Sequence, residues 1–202
     1  MSRIADVVLS SLGLILLFPI LGIVGLCIVL ESKGGMFFRQ ERVGKDRKNF
    51  YLLKFRSMHQ NAESMGQLTV GSRDQRITRM GYFIRKYKID ELPQLLNVVI
   101  GDMSLVGPRP EVPKYVNKYT EEQLSLLSIR PGITDFASLY YFEEADLLAQ
   151  AEHPERTYLE EVLPKKLSFS LLYMKQKSLS KDIKVILVTI LRLFGIKINL
   201  IK

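Results

Sequence analysis

Residues 7–30 hold no charged side chain and are dominated by Leu, Ile, Val and Gly. A stretch this long exceeds the roughly 20 apolar residues that a bilayer core requires. It is also too long for the apolar core of a signal peptide, and no small-residue cleavage pattern follows it. Pro19 sits near its middle, where a missing N–H and a bulky ring predict a kink. Lys33, Arg39, Arg42, Lys45, Arg47 and Lys48 follow the segment, and Arg3 precedes it. The positive-inside rule puts the C-terminal flank in the cytoplasm, and Arg3 draws the N-terminus weakly to the same side. Two topologies stand at this point: a plain spanning helix, or a re-entrant helix bent at Pro19. Only the second satisfies both flanks.

The remainder limits the class of protein. With 202 residues, 47% hydrophobic and 25% charged, the chain suits one compact domain with an appended membrane element. The formal net charge of +8 favours anionic partners such as phosphates, nucleic acid or acidic lipid. No nucleic-acid module or aromatic stacking motif is present, and there is no tryptophan, so a nucleic-acid partner is not expected. Cys27 is the only cysteine, so no intrachain disulfide can form, which fits a reducing compartment. His59 and His153 lie far apart, which excludes an ordinary zinc site. Any metal is then a hard cation held by carboxylates.

Local patterns predict a mainly helical chain with one β-hairpin. Residues 36–39 and 50–55 read as strands joined by a polar turn with Gly44, Lys45 and Asp46. Residues 59–74 show no period and read as a mobile loop. A basic helix is expected over 77–87. Another should run from Glu91 to about Ile100, with Asp90 as its N-cap and Gly101 as its left-handed stop. Thr120 and Gln123 form a capping-box pair for a helix reaching about Leu127. Further helices are expected over 143–151 and 167–175, and Ser180 can cap a last one. Residues 181–202 alternate Lys and Arg with apolar residues, and read either as a core helix or as a basic amphipathic helix in the headgroup region.

Four groups of residues can carry chemistry. Asp90 and Glu91 at a helix start are ordinary macrodipole partners. They could equally hold magnesium and offer one oxygen as a nucleophile. Lys54, Arg56, Arg76, Arg79, Arg85, Lys86 and Lys88 form either a solvated basic face or a diphosphate-neutralising one. Arg109, held between Pro108 and Pro110, is presented at low entropic cost and suits bidentate phosphate contact. Arg130, before Pro131 and Gly132, occupies a second rigid loop. A water-facing turn explains either arginine alone.

Taken in order, the motifs are Lys54-Phe55-Arg56-Ser57-Met58, Asp90-Glu91-Leu92-Pro93-Gln94-Leu95, Gly101-Asp102-Met103-Ser104-Leu105-Val106-Gly107-Pro108-Arg109-Pro110 and Arg130-Pro131-Gly132-Ile133-Thr134. Behind a proline-broken apolar segment, this series closely resembles the monotopic phosphoglycosyl transferases, bacterial enzymes that begin lipid-linked glycan assembly. The resemblance covers nearly the whole chain and is to the family's minimal catalytic unit.

That resemblance implies an α+β, mainly helical fold: a single small domain with a β-hairpin and an N-terminal re-entrant membrane helix. Residues 1–33 would form that helix. Residues 34–202 would form a catalytic domain with interfacial amphipathic helices, on the cytoplasmic face of the bacterial inner membrane. It also implies catalysis by Asp90 and Glu91, with Asp90 attacking the β-phosphorus of a UDP-sugar. UMP would leave, and undecaprenyl phosphate would then take the sugar phosphate. Mg2+ would be the cofactor, held by Asp90 and Glu91, with Glu91 as metal or acid–base partner. Lys54, Arg85 and Arg109 would surround the phosphates, Arg85 also being a candidate for the lipid phosphate. Membrane phospholipid is a further implied partner, and self-association is left open. The sequence departs from the family at Phe18, where a small polar residue is usual. It departs again at Asp135-Phe136-Ala137-Ser138, where many members read Gly-Trp-Ala-Gln, so the sugar is not specified. Two rivals are a single-displacement transferase without a covalent intermediate, and a non-catalytic membrane-anchored basic module binding acidic lipid or a partner protein.

Overall fold

A computed structural model describes residues 1–66, 68–71, 74–196 and 198. The apolar stretch forms a single helix, α1 (Arg3–Glu31), capped by the Ser2 hydroxyl, which accepts from Ala5 N–H. At 29 residues it is about 43 Å long. Pro19 lies inside it, so the Ile15 carbonyl has no helical donor. Among the described residues it is the one helix long and apolar enough to cross a membrane.

Its burial is uneven in an informative way. Asp6 and Ser10 near one end are buried, as are Val24, Gly25 and Ile28 near the other. No residue from 11 to 23 is buried, and Ile15, Leu16 and Phe18 are each at least 70% exposed. Both ends therefore pack on the rest of the chain, while the stretch around Phe18 and Pro19 is largely exposed.

Charged residues fasten each end. Arg3 donates to Val99 O at 3.0 Å and Met103 O at 3.4 Å, and Asp6 accepts from Ser104 Oγ and Leu105 N–H. At the other end Arg56 donates to Ile28 O, Ser32 O, Lys33 O and Gly34 O. Ile28 O lies in the last turn of α1, and Ser32, Lys33 and Gly34 follow the helix directly. Arg56 thus ties the end of α1 to the end of β2.

The hairpin pairs β1 (Phe37–Val43) with β2 (Asn49–Phe55), antiparallel, with Phe38 opposite Lys54 and Arg42 opposite Phe50. The first strand runs four residues beyond the expected 36–39 stretch, because Gln40, Glu41 and Arg42 pair despite their polarity. Between the strands, Asp46 and Arg47 adopt positive φ. The loop after β2 is organised around Arg76, which chelates Asp74 and also donates to Ala62 O, Gly66 O and Leu68 O. Residues 67, 72 and 73 of that loop lie outside the described residues.

Helix α2 (Arg79–Lys86), capped by Thr78, packs Ile84 against Val24, Ile28 and Phe55. Gly81 is required there, since a Cβ would sit 1.9 Å from Ser57 O. Helix α3 (Gln94–Ile100) ends at Gly101, φ 115°, as expected. A second sheet pairs β3 (Ser104–Val106) in parallel with β4 (Gly132–Thr134), where the sequence suggested only rigid loops. Its strands approach so closely at Gly107 and Gly132 that a Cβ on Gly132 would lie 2.0 Å from Gly107 N.

Between these strands run α4 (Pro113–Val116) and α5 (Glu121–Leu124), the latter with the expected Thr120–Gln123 capping box. The C-terminal half adds α6 (Phe136–Tyr140), α7 (Glu144–Ala149), α8 (Pro154–Thr157), α9 (Leu163–Lys175) and α10 (Leu179–Leu193). A π-helical turn over Tyr158–Val162 joins α8 to α9, so this helical run begins well before the expected residue 167. Ser178, not Ser180, caps α10. Helix α10 buries Asp182, Val185 and Val188 and exposes Leu179, Ile183, Leu187 and Ile190. Of the basic C-terminal segment, residues 197 and 199–202 lie outside the described residues.

Candidate active site

Three pieces of backbone deliver the charged residues to one place. Strand β2 carries Lys54, and the last turn of α2 carries Arg85. Lys88 then takes a left-handed conformation, φ 54°, and turns the chain into a short 3-10 segment, Ile89–Glu91. Asp90 is therefore inside that turn and does not cap a helix N-terminus as the sequence suggested. Helix α3, which follows directly, is held to β2 by Asn97, which accepts from Leu53 N–H at 3.0 Å and donates to Tyr51 O at 2.9 Å. The Pro108-Arg109-Pro110 loop approaches from the end of β3.

Glu91 is the electrostatic centre. Its Oε1 accepts from Lys54 Nζ at 3.0 Å and Arg109 Nη2 at 2.7 Å. Burial by itself would raise the Glu91 pKa, but Arg109 and Lys54 overcome it and hold the carboxyl well below its usual range. In return Glu91 raises the Arg109 pKa. Lys54 is pushed down by burial against the pull of Glu91.

Asp90 is the opposite case. It is 5% exposed, and its buried Oδ1 has no hydrogen-bond partner. Burial raises its pKa, and the adjacent Glu91 raises it further, against Lys54, Arg85 and Lys88. One carboxylate is thus saturated with cations while its neighbour keeps a free oxygen.

Lys54, Arg85, Asp90, Glu91 and Arg109 all line one cleft of about 1200 Å³. Arg85 is placed by a long contact to Ser57 Oγ, 3.4 Å. Arg130 is turned elsewhere, donating to Gly101 O at 2.9 Å. Arg76 also borders the cleft, but its guanidinium is committed to Asp74 and loop carbonyls.

A second charged group on the cleft wall was not anticipated. Glu111 meets Arg42 at 3.5 Å and Lys166 at 3.5 Å, and accepts from Tyr158 OH at 2.8 Å. Lys166 also meets Glu144 at 2.9 Å. Lys166 and Arg42 hold Glu111 below its usual pKa although burial pushes it up. Strand β1, the loop after β3, α7, the π-helical turn and α9 contribute these residues, so no local spacing signals the group.

Among the described residues no three of His, Cys, Asp and Glu converge as a ready-made metal cage. Magnesium is commonly held by one or two carboxylates together with substrate phosphates. Asp90, with an unpartnered buried oxygen, fits that use. Glu91 is less free, since both cations already occupy its Oε1.

Residues 1–195 match the bacterial sugar transferase family. The UDP-glucose:undecaprenyl-phosphate glucose-1-phosphate transferase of Escherichia coli (strain K12) is 35% identical over 96% of this chain and 40% of its own length. The protein of the same name from Caulobacter vibrioides is 35% identical over 93% of this chain and 67% of its own. The UDP-N-acetylgalactosamine-undecaprenyl-phosphate N-acetylgalactosaminephosphotransferase of Aeromonas hydrophila is 41% identical over 70% of this chain and 34% of its own. The chain thus spans less than half the length of the Escherichia and Aeromonas relatives. Since the match runs through nearly all of it, the chain belongs to the bacterial sugar transferase family.

Proposed function

We propose that this protein transfers a sugar 1-phosphate from a UDP-sugar to undecaprenyl phosphate, releasing UMP, with Asp90 as a covalent nucleophile. The observation that carries this reading is the contrast within the Asp90–Glu91 pair: a buried carboxylate oxygen without a partner beside a carboxylate locked by two cations. The activities for which the relatives are named support the donor and acceptor classes.

In the first step an Asp90 oxygen attacks the β-phosphorus. The phosphoanhydride bond breaks, its electron pair leaves with UMP, and the phosphosugar stays on Asp90. In the second step an oxygen of the lipid phosphate attacks the same phosphorus, and the Asp90–phosphorus bond breaks to regenerate the carboxylate. Splitting one transfer in two lowers each barrier. Lys54 and Arg109, fixed by Glu91, offset the negative charge that builds on the phosphates, and they are already oriented before substrate arrives. With its pKa held low, Glu91 is better suited to positioning these cations than to donating a proton. Arg85 stands at the cleft edge for either donor or lipid phosphate. Magnesium, held by Asp90 and the donor diphosphate, would supply further charge neutralisation.

The same proposal covers topology. Residues 1–33 form a re-entrant membrane helix and residues 34–202 a catalytic domain at the cytoplasmic face of the inner membrane. Support comes from α1, whose two ends are pinned to one body by Arg3, Asp6 and Arg56 while its Pro19 region is largely exposed.

The test is UMP release from a panel of UDP-sugars by detergent-purified protein with magnesium and undecaprenyl phosphate. Release with one sugar, abolished by Asp90→Asn, is the expected result. No release from any sugar by folded protein would favour a membrane-anchored binding module.

A further inference from the structure

We propose that Arg42 is the positioning residue for Arg109: it clamps the Pro108-Arg109-Pro110 loop so that the Arg109 guanidinium faces Glu91 and the donor diphosphate. This rests on the reading of Arg109 as a phosphate ligand.

The chemistry of the loop sets the problem. Proline has no N–H, so Pro108 and Pro110 cannot donate, and much of the hold on the loop falls to its carbonyls. Three carbonyls around Arg109 are occupied. Pro108 O accepts from Gly132 N–H at 2.9 Å, and Glu111 O accepts from Val43 N–H at 3.0 Å. The one immediately after Arg109, Pro110 O, accepts from a side chain instead: Arg42 Nη1, at 2.8 Å.

Arg42 is itself fixed in plane. Gln40, two residues earlier on the same face of β1, accepts from Nε at 3.2 Å and Nη2 at 2.6 Å. Glu111 balances the charge at 3.5 Å and is in turn held by Lys166 and Tyr158. The guanidinium therefore works in three directions at once, toward Gln40, Pro110 O and Glu111. A lysine ammonium cannot reproduce that planar fork.

The clamp also has an electrostatic side. Arg42 and Arg109 repel one another, while Glu91 attracts Arg109 at 2.7 Å. Repulsion from Arg42 and attraction to Glu91 both favour the Arg109 guanidinium at Glu91. Binding groups gain most when their orientation is settled before the ligand arrives.

The experiment is calorimetric titration of UDP into the detergent-purified full chain, comparing Arg42→Lys in two backgrounds. In the native background the substitution should weaken UDP by about tenfold, within the range for residues that share one hydrogen-bond network. In an Arg109→Ala background it should cost less than about twofold, because the residue it positions is gone. A merely structural role would cost the same in both. Gln40→Met, which frees the plane of Arg42 but keeps its charge, should show the same dependence on Arg109 with a smaller loss. It decides the matter if Arg42→Lys fails to fold. Equal losses in the two backgrounds, or no loss in the native one, would overturn the proposal. If the unsubstituted chain binds no UDP, the reading of the cleft as a donor site fails first, and this proposal falls with it.

Discussion

Asp6 and Ser104, nearly a hundred residues apart, share a buried hydrogen bond: Asp6 Oδ2 accepts from Ser104 Oγ at 2.8 Å, and Oδ1 accepts from Leu105 N–H at 3.2 Å. The first turn of the apolar helix is thereby tied to the strand that leads into the Arg109 loop. Asp6→Ala leaves both donors without this acceptor in a dry setting, at a cost of roughly 1–3 kcal/mol. The expected outcome is a lower thermal unfolding midpoint in detergent, with Asp6→Asn intermediate. An unchanged midpoint would show that the tie contributes nothing.

The two carboxylates of the site should respond in opposite senses to neutralisation. Glu91→Gln leaves Lys54 and Arg109 half-buried without their counter-ion, a loss on the order of 3–5 kcal/mol. Asp90 has its folded-state pKa raised, by burial first and then by Glu91. Its ionisation therefore destabilises the fold as pH rises above the unfolded value and through the folded one. Asp90→Asn should stabilise the protein at neutral pH and give no gain at a pH below the unfolded carboxylate pKa. Melting curves of both variants at two pH values check the signs.

The same shift fixes the acid limb of the activity profile. Under the proposed mechanism the attacking species is the Asp90 carboxylate, so kcat/KM should fall as pH drops through a pKa above the usual carboxylate range. Lys54, Arg85 and Lys88 oppose the shift, and Glu91 reinforces it. Glu91→Gln removes the neighbouring charge and should move the limb to lower pH. A limb that stays in place would show that another group controls it.

Much of this arrangement was legible in the sequence, and the remainder fails for identifiable reasons. The Gly101 stop, the Thr120–Gln123 capping box and β2 are local, and each was readable from a few neighbouring residues. The β3–β4 pairing joins two three-residue strands distant in sequence, with no period to detect. Asp90 seemed a helix cap because Pro93 suits a first helical turn, yet the left-handed Lys88 starts a 3-10 turn one step earlier. Lys54, Arg85, Asp90, Glu91 and Arg109 were anticipated and do converge, whereas Arg56 and Arg76 went to backbone carbonyls. Nothing local distinguishes a phosphate-facing arginine from one that closes a helix or a loop. Arg42, Glu111 and Lys166 went unrecognised because their association exists only in three dimensions.

Topology is testable through Cys27, the only cysteine. In a Cys27→Ser background, single cysteines at exposed Ser2 and Lys33 flank the apolar helix. Both should react with a membrane-impermeant maleimide from the cytoplasmic face. Labelling from opposite faces would establish a spanning helix.

The most direct test of the proposed chemistry is intact-mass measurement after incubating the protein with its UDP-sugar and magnesium, without lipid acceptor. The expected result is a mass increase of one sugar phosphate, located on Asp90 by peptide mapping, absent in Asp90→Asn and discharged on adding undecaprenyl phosphate. UMP release that strictly requires the acceptor, with no adduct at any time and activity retained in Asp90→Asn, would contradict a covalent role for Asp90.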